Sequence, residues 1–166
     1  RAVDNAGNIG NYVASSNWVL PDVTPPLDPV GWTMASPTNG TTSNDNTPEI
    51  SATGIVGENG STARVYRNDP TCAAINEVGN QVIAAGAFTI TNISLLTNGT
   101  QDGVNTFYGL IEDAATNKSN CVNLALSYTL DTQAPTGVSV VINAGALYTN
   151  LAATTLTIAA TGAAQM

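Results

Sequence analysis

A short motif near the start of this chain occurs again near its end, about 109 residues later. Residues Asp4–Asn8 and Asp113–Asn117 both read Asp-x-Ala-x-Asn, and the match continues beyond the motif. Further along, Ile50–Gly54 and Ile158–Gly162 match at an offset of 108. A repeat of this length is that of a whole domain rather than of a single supersecondary unit. The chain is therefore predicted to contain about one and a half copies of a domain.

The repeat predicts where the domains begin and end. The 109-residue offset also relates Asp22 to Asp131 and Pro26 to Pro135. Residues 1–24 are expected to be the last hairpin and final strand of one domain, and residues 25–131 a complete domain. Residues 132–166 are expected to be the first two strands of the next. Proline at the junctions restricts the backbone, which predicts stiff linkers rather than loose ones.

The local patterns predict an all-β sandwich of about seven strands. Turn residues recur every 8 to 12 positions, and Asn-Gly pairs at 39–40, 59–60 and 98–99 are strong turn signals. The predicted strands are Val30–Ala35, Pro48–Ala52, Ala63–Arg67, Val82–Ala84, Ala87–Ile93, Asn105–Glu112 and Cys121–Leu130. The only helix-like stretch, Cys72–Val78, is expected to form one short turn at most.

Charge and composition exclude several functions. The chain has 4 Lys and Arg, 12 Asp and Glu and no His, for a formal net charge of −8. Such an acidic chain is unsuited to nucleic acid and is repelled by anionic membranes. Without histidine it cannot form a Ser-His-Asp or Cys-His site by itself. No apolar run approaches the 18 residues of a membrane span, and no spacing indicates a catalytic pair of carboxylates, so we expect no enzyme activity.

The order of these motifs resembles that of a known family. The repeated hairpin motif, the strand end Tyr128–Pro135, the segment Asn46–Ile50 and the segment Ile142–Asn150 resemble the tandem immunoglobulin-like repeats of large bacterial surface and secreted proteins. The resemblance implies an immunoglobulin-like β-sandwich in an extracellular protein. Thr116 departs from the family, which usually has Gly at that hairpin position, as the first copy does at Gly7.

The resemblance also bears on the two cysteines. Ala63–Tyr66 followed by Cys72, and Phe107-Tyr108 followed by Cys121, resemble a two-cysteine subgroup of these repeats. One interpretation is a reactive thiol pair. The other, which we favour, is a disulfide between Cys72 and Cys121, because an even cysteine count without a Cys-x-x-Cys motif in such a protein indicates an oxidising compartment.

The aspartates around the junctions are candidate calcium ligands. Carboxylate and carbonyl oxygens are the ligands that calcium prefers, and few cations are available to pair with these side chains. The candidates are Asp4, Asp22, Asp28, Asp113 and Asp131. The alternative is turn and cap chemistry, in which Asp and Asn bond their own backbone.

Two tryptophans near the first junction, Trp18 and Trp32, are candidates for stacking on a sugar. The alternative is packing in the core or between domains.

These observations predict a non-catalytic spacer in a long bacterial surface protein or fibre, such as an adhesin stalk. Its partners are expected to be neighbouring repeats, with possible self-association in a fibre, and neither nucleic acid nor an inserted membrane. One alternative is a module that binds a glycan or a host protein. Another is an accessory domain of a secreted hydrolase.

Overall fold

The computed structural model describes residues 3–10, 20–148, 150 and 152–162, and these residues form an all-β structure. The only helical segments described are two one-turn 3-10 helices, Ala74–Asn76 and Asn143–Gly145. The strands are β1 (Thr33–Ser36), β2 (Thr42–Ser43), β3 (Glu49–Ala52), β4 (Thr62–Arg67), β5 (Glu77–Val82), β6 (Phe88–Ile90), β7 (Gly103–Glu112), β8 (Val122–Leu130), β9 (Thr136–Ile142) and β10 (Leu156–Thr161).

The first eight strands form two sheets. One has the order β1-β3-β6 and the other the order β2-β8-β7-β4-β5. All neighbours are antiparallel except β2, which runs parallel to β8 with Thr42 opposite Thr129. The long pair β7–β8 is the centre of the larger sheet, and β9 and β10 form a separate two-stranded sheet.

The two larger sheets enclose one core because their strands alternate between buried and less buried positions. Ile50 and Ala52 of β3 face the interior from the smaller sheet, while Ala63 and Val65 of β4 face it from the larger one. This alternation is what a strand with one face in a core requires. The buried core members are Trp32, Ile50, Ala52, Ala63, Val65, Ile83, Phe88, Ile90, Ile93, Leu95, Phe107, Ile111, Leu126, Tyr128 and Leu130.

Most predicted strands are present with shifted ends, but the prediction of a strand at Val82–Ala84 is wrong. Strand β5 ends at Val82, and Ala84 bridges Ala87 across a tight turn. Ala85 and Gly86 in this turn have positive φ angles of 51° and 72°, and the reversal falls in the gap between the predicted strands Val82–Ala84 and Ala87–Ile93. The described chain has eight strands from Thr33 to Leu130, where the sequence predicts about seven. The short helical turn expected within Cys72–Val78 is confirmed.

Two strands were not predicted. Strand β2 has only two residues and gives no readable pattern. Strand β5 contains Gly79, and a Cβ atom there would lie 2.7 Å from Ile93 and 2.8 Å from Ile90. Position 79 needs glycine because Ile90 and Ile93 pack closely against β5 there. A glycine in the strand interrupts the apolar alternation by which strands are recognised in a sequence.

No helix in the described part of the chain is both long enough and apolar enough to cross a membrane.

Candidate functional site: the disulfide loop and the two junctions

Cys72 and Cys121 form a disulfide, as predicted. Their Cα atoms are 5.8 Å apart and the bridge closes a loop of 49 residues. It joins the segment after β4 to the residue before β8. Restricting a loop of this length in the unfolded chain stabilises the fold by about 4 kcal/mol in the chain-entropy account. The bridge therefore contributes to the stability of the domain, and neither cysteine is a free thiol.

The disulfide holds a loop over the outer face of the larger sheet. Tyr66 and Leu110 point away from the main core, yet they are only 1% and 4% exposed. They pack with Cys72 in a second small cluster, with Tyr108 and Cys121 at its margin. Burial, followed by the nearby charge of Glu77, raises the pKa of Tyr66 to about 12.

Asp69 organises the loop that carries Cys72. One carboxylate oxygen accepts hydrogen bonds from the backbone N–H and the hydroxyl of Thr71, at 2.8 and 2.6 Å. The other accepts from the backbone N–H of Ala73 and the side-chain amide of Asn76, at 2.8 and 3.0 Å. These bonds, the Thr71 hydroxyl first, hold the pKa of Asp69 well below its ordinary value. An ionised Asp69 thus fixes the loop that the disulfide ties down.

The segment before β1, at the predicted N-terminal junction, is hydrogen-bonded to the two-sheet domain that β1–β8 form. The backbone N–H of Leu27 donates to Glu58 at 3.1 Å. The side-chain amide of Asn117 donates to the backbone carbonyl of Asp22 at 3.1 Å. Asp28 accepts two hydrogen bonds from Asn120, one from its backbone N–H at 2.8 Å and one from its side chain at 3.0 Å.

The C-terminal junction is bonded to the same domain. Thr132 donates to both carboxylate oxygens of Asp102, from its backbone N–H at 3.1 Å and from its hydroxyl at 2.8 Å. The backbone N–H of Asp131 donates to the carbonyl of Ser43 at 3.0 Å. Asp131 and Thr132, where the chain leaves the domain, are therefore both hydrogen-bonded to it.

The two junctions lie at opposite ends of the β7–β8 pair. Gly103, next to Asp102, pairs with Leu130 at one end. Asn117 and Asn120 lie in the hairpin that joins β7 to β8 at the other end. Strand β7 has 10 residues, which is about 33 Å at 3.3 Å per residue. The chain thus reaches the domain at one end and leaves it at the other.

The repeated hairpin motif has the same local structure in both copies. Asn8 donates to Asp4 from its backbone at 2.9 Å and from its side chain at 2.8 Å. Asn117 donates in the same way to Asp113, at 2.8 and 2.9 Å. These bonds, the side-chain amide first, lower the pKa of Asp4 and of Asp113. Asp-x-Ala-x-Asn is therefore a motif that closes a hairpin through its own backbone.

Of the five predicted calcium ligands, Asp22 and Asp113 line one open cleft together with Glu58, and Asp4, Asp28 and Asp131 do not line it. In residues 3–10, 20–148, 150 and 152–162, no three Asp, Glu, Cys or His side chains are grouped so that they could hold a metal ion. Asp4, Asp113 and Asp28 accept hydrogen bonds from asparagines, as described above. Asp22 accepts from the backbone N–H of Thr24, and Asp131 from that of Gln133. These bonds are turn and cap contacts, and calcium binding stays a prediction that none of them supports.

Trp32 is a core residue. It is 5% exposed and meets Phe88 edge to face, with ring centroids 4.7 Å apart. An open cleft of about 240 Å³ beside it is lined mainly by apolar side chains, including those of Leu27, Val30 and Val56. A buried ring cannot present its face to a sugar. Trp18 lies outside the described residues.

Several acidic side chains that were not among the predicted site residues have specific partners. Arg64 lies between Glu77 and Glu112, with N–O distances of 3.0 and 2.8 Å. Glu58 and Asp102 accept hydrogen bonds from the two junctions.

The junction contacts were not predicted from the sequence, because the residues that form them are distant from one another in the chain. Asn117 and Asn120 carried a signal, since the equivalent positions of the first copy, 8 and 11, are also Asn.

Comparison of the chain with protein-family models, with curated proteins and with solved structures found no significant match.

Proposed function

We propose that this chain is part of a tandem array of immunoglobulin-like domains that acts as a non-catalytic spacer in a long extracellular bacterial protein. The observation that carries the proposal is the hydrogen bonding of both junctions to one domain at opposite ends of its longest strand pair. A domain that fixes the incoming and outgoing chain in this way sets a constant distance and direction between its neighbours.

The sheet arrangement supports the immunoglobulin-like part of the proposal. Two sheets pack on one core, and the first part of the chain contributes to both of them, through β1 in the smaller sheet and β2 in the larger one. The parallel pairing of β2 with the last strand, β8, closes the larger sheet along that side. The hairpins at Asp4 and Asp113 support the tandem part, because the repeated Asp-x-Ala-x-Asn motif forms the same hydrogen bonds in both copies.

The disulfide supports an extracellular location, because such bridges persist in oxidising compartments. It also suits a mechanical function, since the bridge prevents the loop of 49 residues that it closes from extending under load. The ligand-binding alternative loses one of its two candidate aromatics, because Trp32 is buried in the core.

The proposal is tested by the backbone dynamics of the junctions. We expect ¹⁵N relaxation of the 166-residue chain to give order parameters at residues 22–28 and 131–133 close to the rigid-backbone value of about 0.85. Asn120→Ala removes one of the two hydrogen bonds to Asp28, and it should lower the order at residues 27–29 while leaving residues 131–133 unchanged. Order parameters below about 0.6 at both junctions of the unsubstituted chain would contradict the proposal.

A further inference from the structure

The tetrapeptide Thr-Asn-Gly-Thr occurs at residues 38–41 and again at residues 97–100. When glycine follows asparagine, the main-chain nitrogen of the glycine can attack the side-chain amide of the asparagine, because glycine has no Cβ atom to block the approach. Two identical tetrapeptides have the same intrinsic reactivity in an unfolded chain. A difference between them in the folded protein therefore comes from the contacts that each one makes.

The first tetrapeptide is bonded to β8. The Gly40 N–H donates to the carbonyl of Ser127 at 2.7 Å. The Asn39 side chain donates from Nδ2 to the carbonyl of Ala125 at 3.1 Å, and its Oδ1 accepts from the Ser127 N–H at 2.8 Å. The nitrogen that would attack and the amide that would be attacked are thus both held by the strand.

The Asn-Gly pair at 59–60 is held in a similar way. The Gly60 N–H donates to the carbonyl of Ile83 at 2.9 Å, and Oδ1 of Asn59 accepts from the Gly86 N–H at 2.8 Å. A glycine nitrogen must lose its proton before it can attack an amide carbon. A hydrogen bond from that N–H to a carbonyl has to break first, so the structure protects Asn39 and Asn59.

The Asn98-Gly99 pair is arranged differently. Within the part of the chain that the structure describes, the Gly99 N–H donates no hydrogen bond. Asn98 is exposed, and its Oδ1 accepts from the backbone N–H and the hydroxyl of Thr100, at 3.1 and 2.6 Å. This turn folds the side chain toward the backbone that follows it. Negative charge develops on the same oxygen when a nitrogen adds to the amide carbon, and two donors already point at it.

We propose that Asn98 is a site of spontaneous deamidation. The Gly99 nitrogen forms a bond to Cγ of Asn98, the bond from Cγ to Nδ2 breaks, and ammonia leaves with the proton that the glycine nitrogen loses. Water then opens the cyclic imide, adding its hydroxyl to a carbonyl carbon and its proton to the nitrogen. Opening at Cγ gives aspartate, and opening at the main-chain carbonyl gives isoaspartate. No oxidant or reductant is consumed.

The loop that contains Asn98 also holds the C-terminal junction. The Asp102 N–H donates to the carbonyl of Gly99 at 3.3 Å, and the Asp102 carboxylate accepts both hydrogen bonds from Thr132. The side chain of Gln133 packs over Gly99, where a Cβ atom would lie 3.1 Å from its Nε2. Isoaspartate inserts an additional carbon atom into the main chain before Gly99 and adds a negative charge to the loop. The modification therefore loosens the C-terminal junction.

The test incubates the intact 166-residue chain at neutral pH and follows its tryptic peptides by mass spectrometry after reduction of the disulfide. Trypsin separates the two tetrapeptides because it cleaves between them, at Arg64 and Arg67. In the folded chain, Asn98 should convert about tenfold faster than Asn39, because releasing the Gly40 N–H costs about one hydrogen bond. In urea the two should convert at equal rates, because the tetrapeptides are identical.

The effect on the junction is measured by amide hydrogen exchange. Exchange at residues 131–133 should be faster in the converted chain than in the fresh chain, with residues 22–28 unchanged. Asn98→Ser is the control, because serine keeps an oxygen that can accept from the Thr100 N–H but has no amide to lose. Incubation should leave its exchange at residues 131–133 as it was.

Two results would overturn the inference of a deamidation site. One is conversion of Asn39 in the folded chain as fast as that of Asn98. The other is no conversion of Asn98 in the folded chain over a time in which the chain in urea converts. Unchanged exchange at residues 131–133 in the converted chain would overturn the effect on the junction. The order parameters of the fresh chain depend on none of these results, so the proposed function is judged separately.

Discussion

Thr116 has a backbone conformation that does not suit its side chain. Its φ is 69° in the hairpin between β7 and β8, a value rarely adopted by β-branched residues. In the first copy of the motif the equivalent residue is Gly7, with a φ of 84°. The sequence already marked Thr116 as the departure from the family pattern. The structure shows that a threonine there must adopt a left-handed backbone conformation, which glycine adopts more readily.

Thr116→Gly is therefore expected to stabilise the domain. Removing the threonine side chain from a left-handed conformation should raise the free energy of unfolding by about 1–2 kcal/mol. The greater conformational freedom of glycine in the unfolded chain should lower it by about 0.5–1 kcal/mol. We expect a net gain of about 0.5–1 kcal/mol, measured by urea denaturation. Thr106→Gly, the same change within β7, should destabilise by a similar amount. A loss of stability in Thr116→Gly would show that the threonine side chain makes a compensating contact.

Asp69 should make the stability of the domain depend on pH. Its pKa is lowered from an ordinary value of 3.8 by the hydrogen bonds described above. A carboxyl group of this kind stabilises the fold above its unfolded pKa, and the contribution is lost as the pH falls through the folded pKa. Asp69→Asn should thus lower the urea midpoint at pH 7 and flatten the decline in stability below pH 4.

Asp131→Asn is the matched control for Asp69→Asn, because the Asp131 side chain accepts a single backbone hydrogen bond, from Gln133. It should change the urea midpoint much less. If both variants have the same decline in stability below pH 4 as the unsubstituted chain, the ionised Asp69 does not hold the loop.

At the scale of elements, the sequence predicted the strands whose side chains alternate. Strands β4, β7 and β8 lie within two residues of their predicted positions because one face of each is buried. Strand β5 could not be predicted, since Gly79 is required by close packing against Ile90 and Ile93, which are distant in the sequence. The junction contacts were missed for the same reason. Asp102 and Glu58 have no local signal that identifies their partners.

The disulfide loop is the element that should govern extension under force. When the domain is unfolded with the bridge intact, the loop of 49 residues that the bridge closes cannot extend. Single-molecule stretching should show an additional contour length of about 160–175 Å per domain after reduction, at 3.3–3.6 Å per residue. Replacing both cysteines with serine should give the longer extension with or without reductant. Equal extension before and after reduction would mean that the bridge does not restrain the chain.

At the scale of the whole molecule, the chain enters and leaves the two-sheet domain at opposite ends of the β7–β8 pair. The offset of about 109 residues indicated the repeat, and the all-β architecture followed from the turn spacing. Sequence could not give the direction of the junctions, because direction depends on contacts between the linkers and distant side chains such as Asn120 and Asp102. In the tandem array that we propose, those contacts fix the distance between successive domains.

Electron microscopy of the full-length native protein tests this account most directly. A spacer built from such domains should appear as thin rods or beaded filaments with an axial repeat of about 40 Å, since β7 alone spans about 33 Å and the turns at both ends add to it. Compact globular particles would contradict the account.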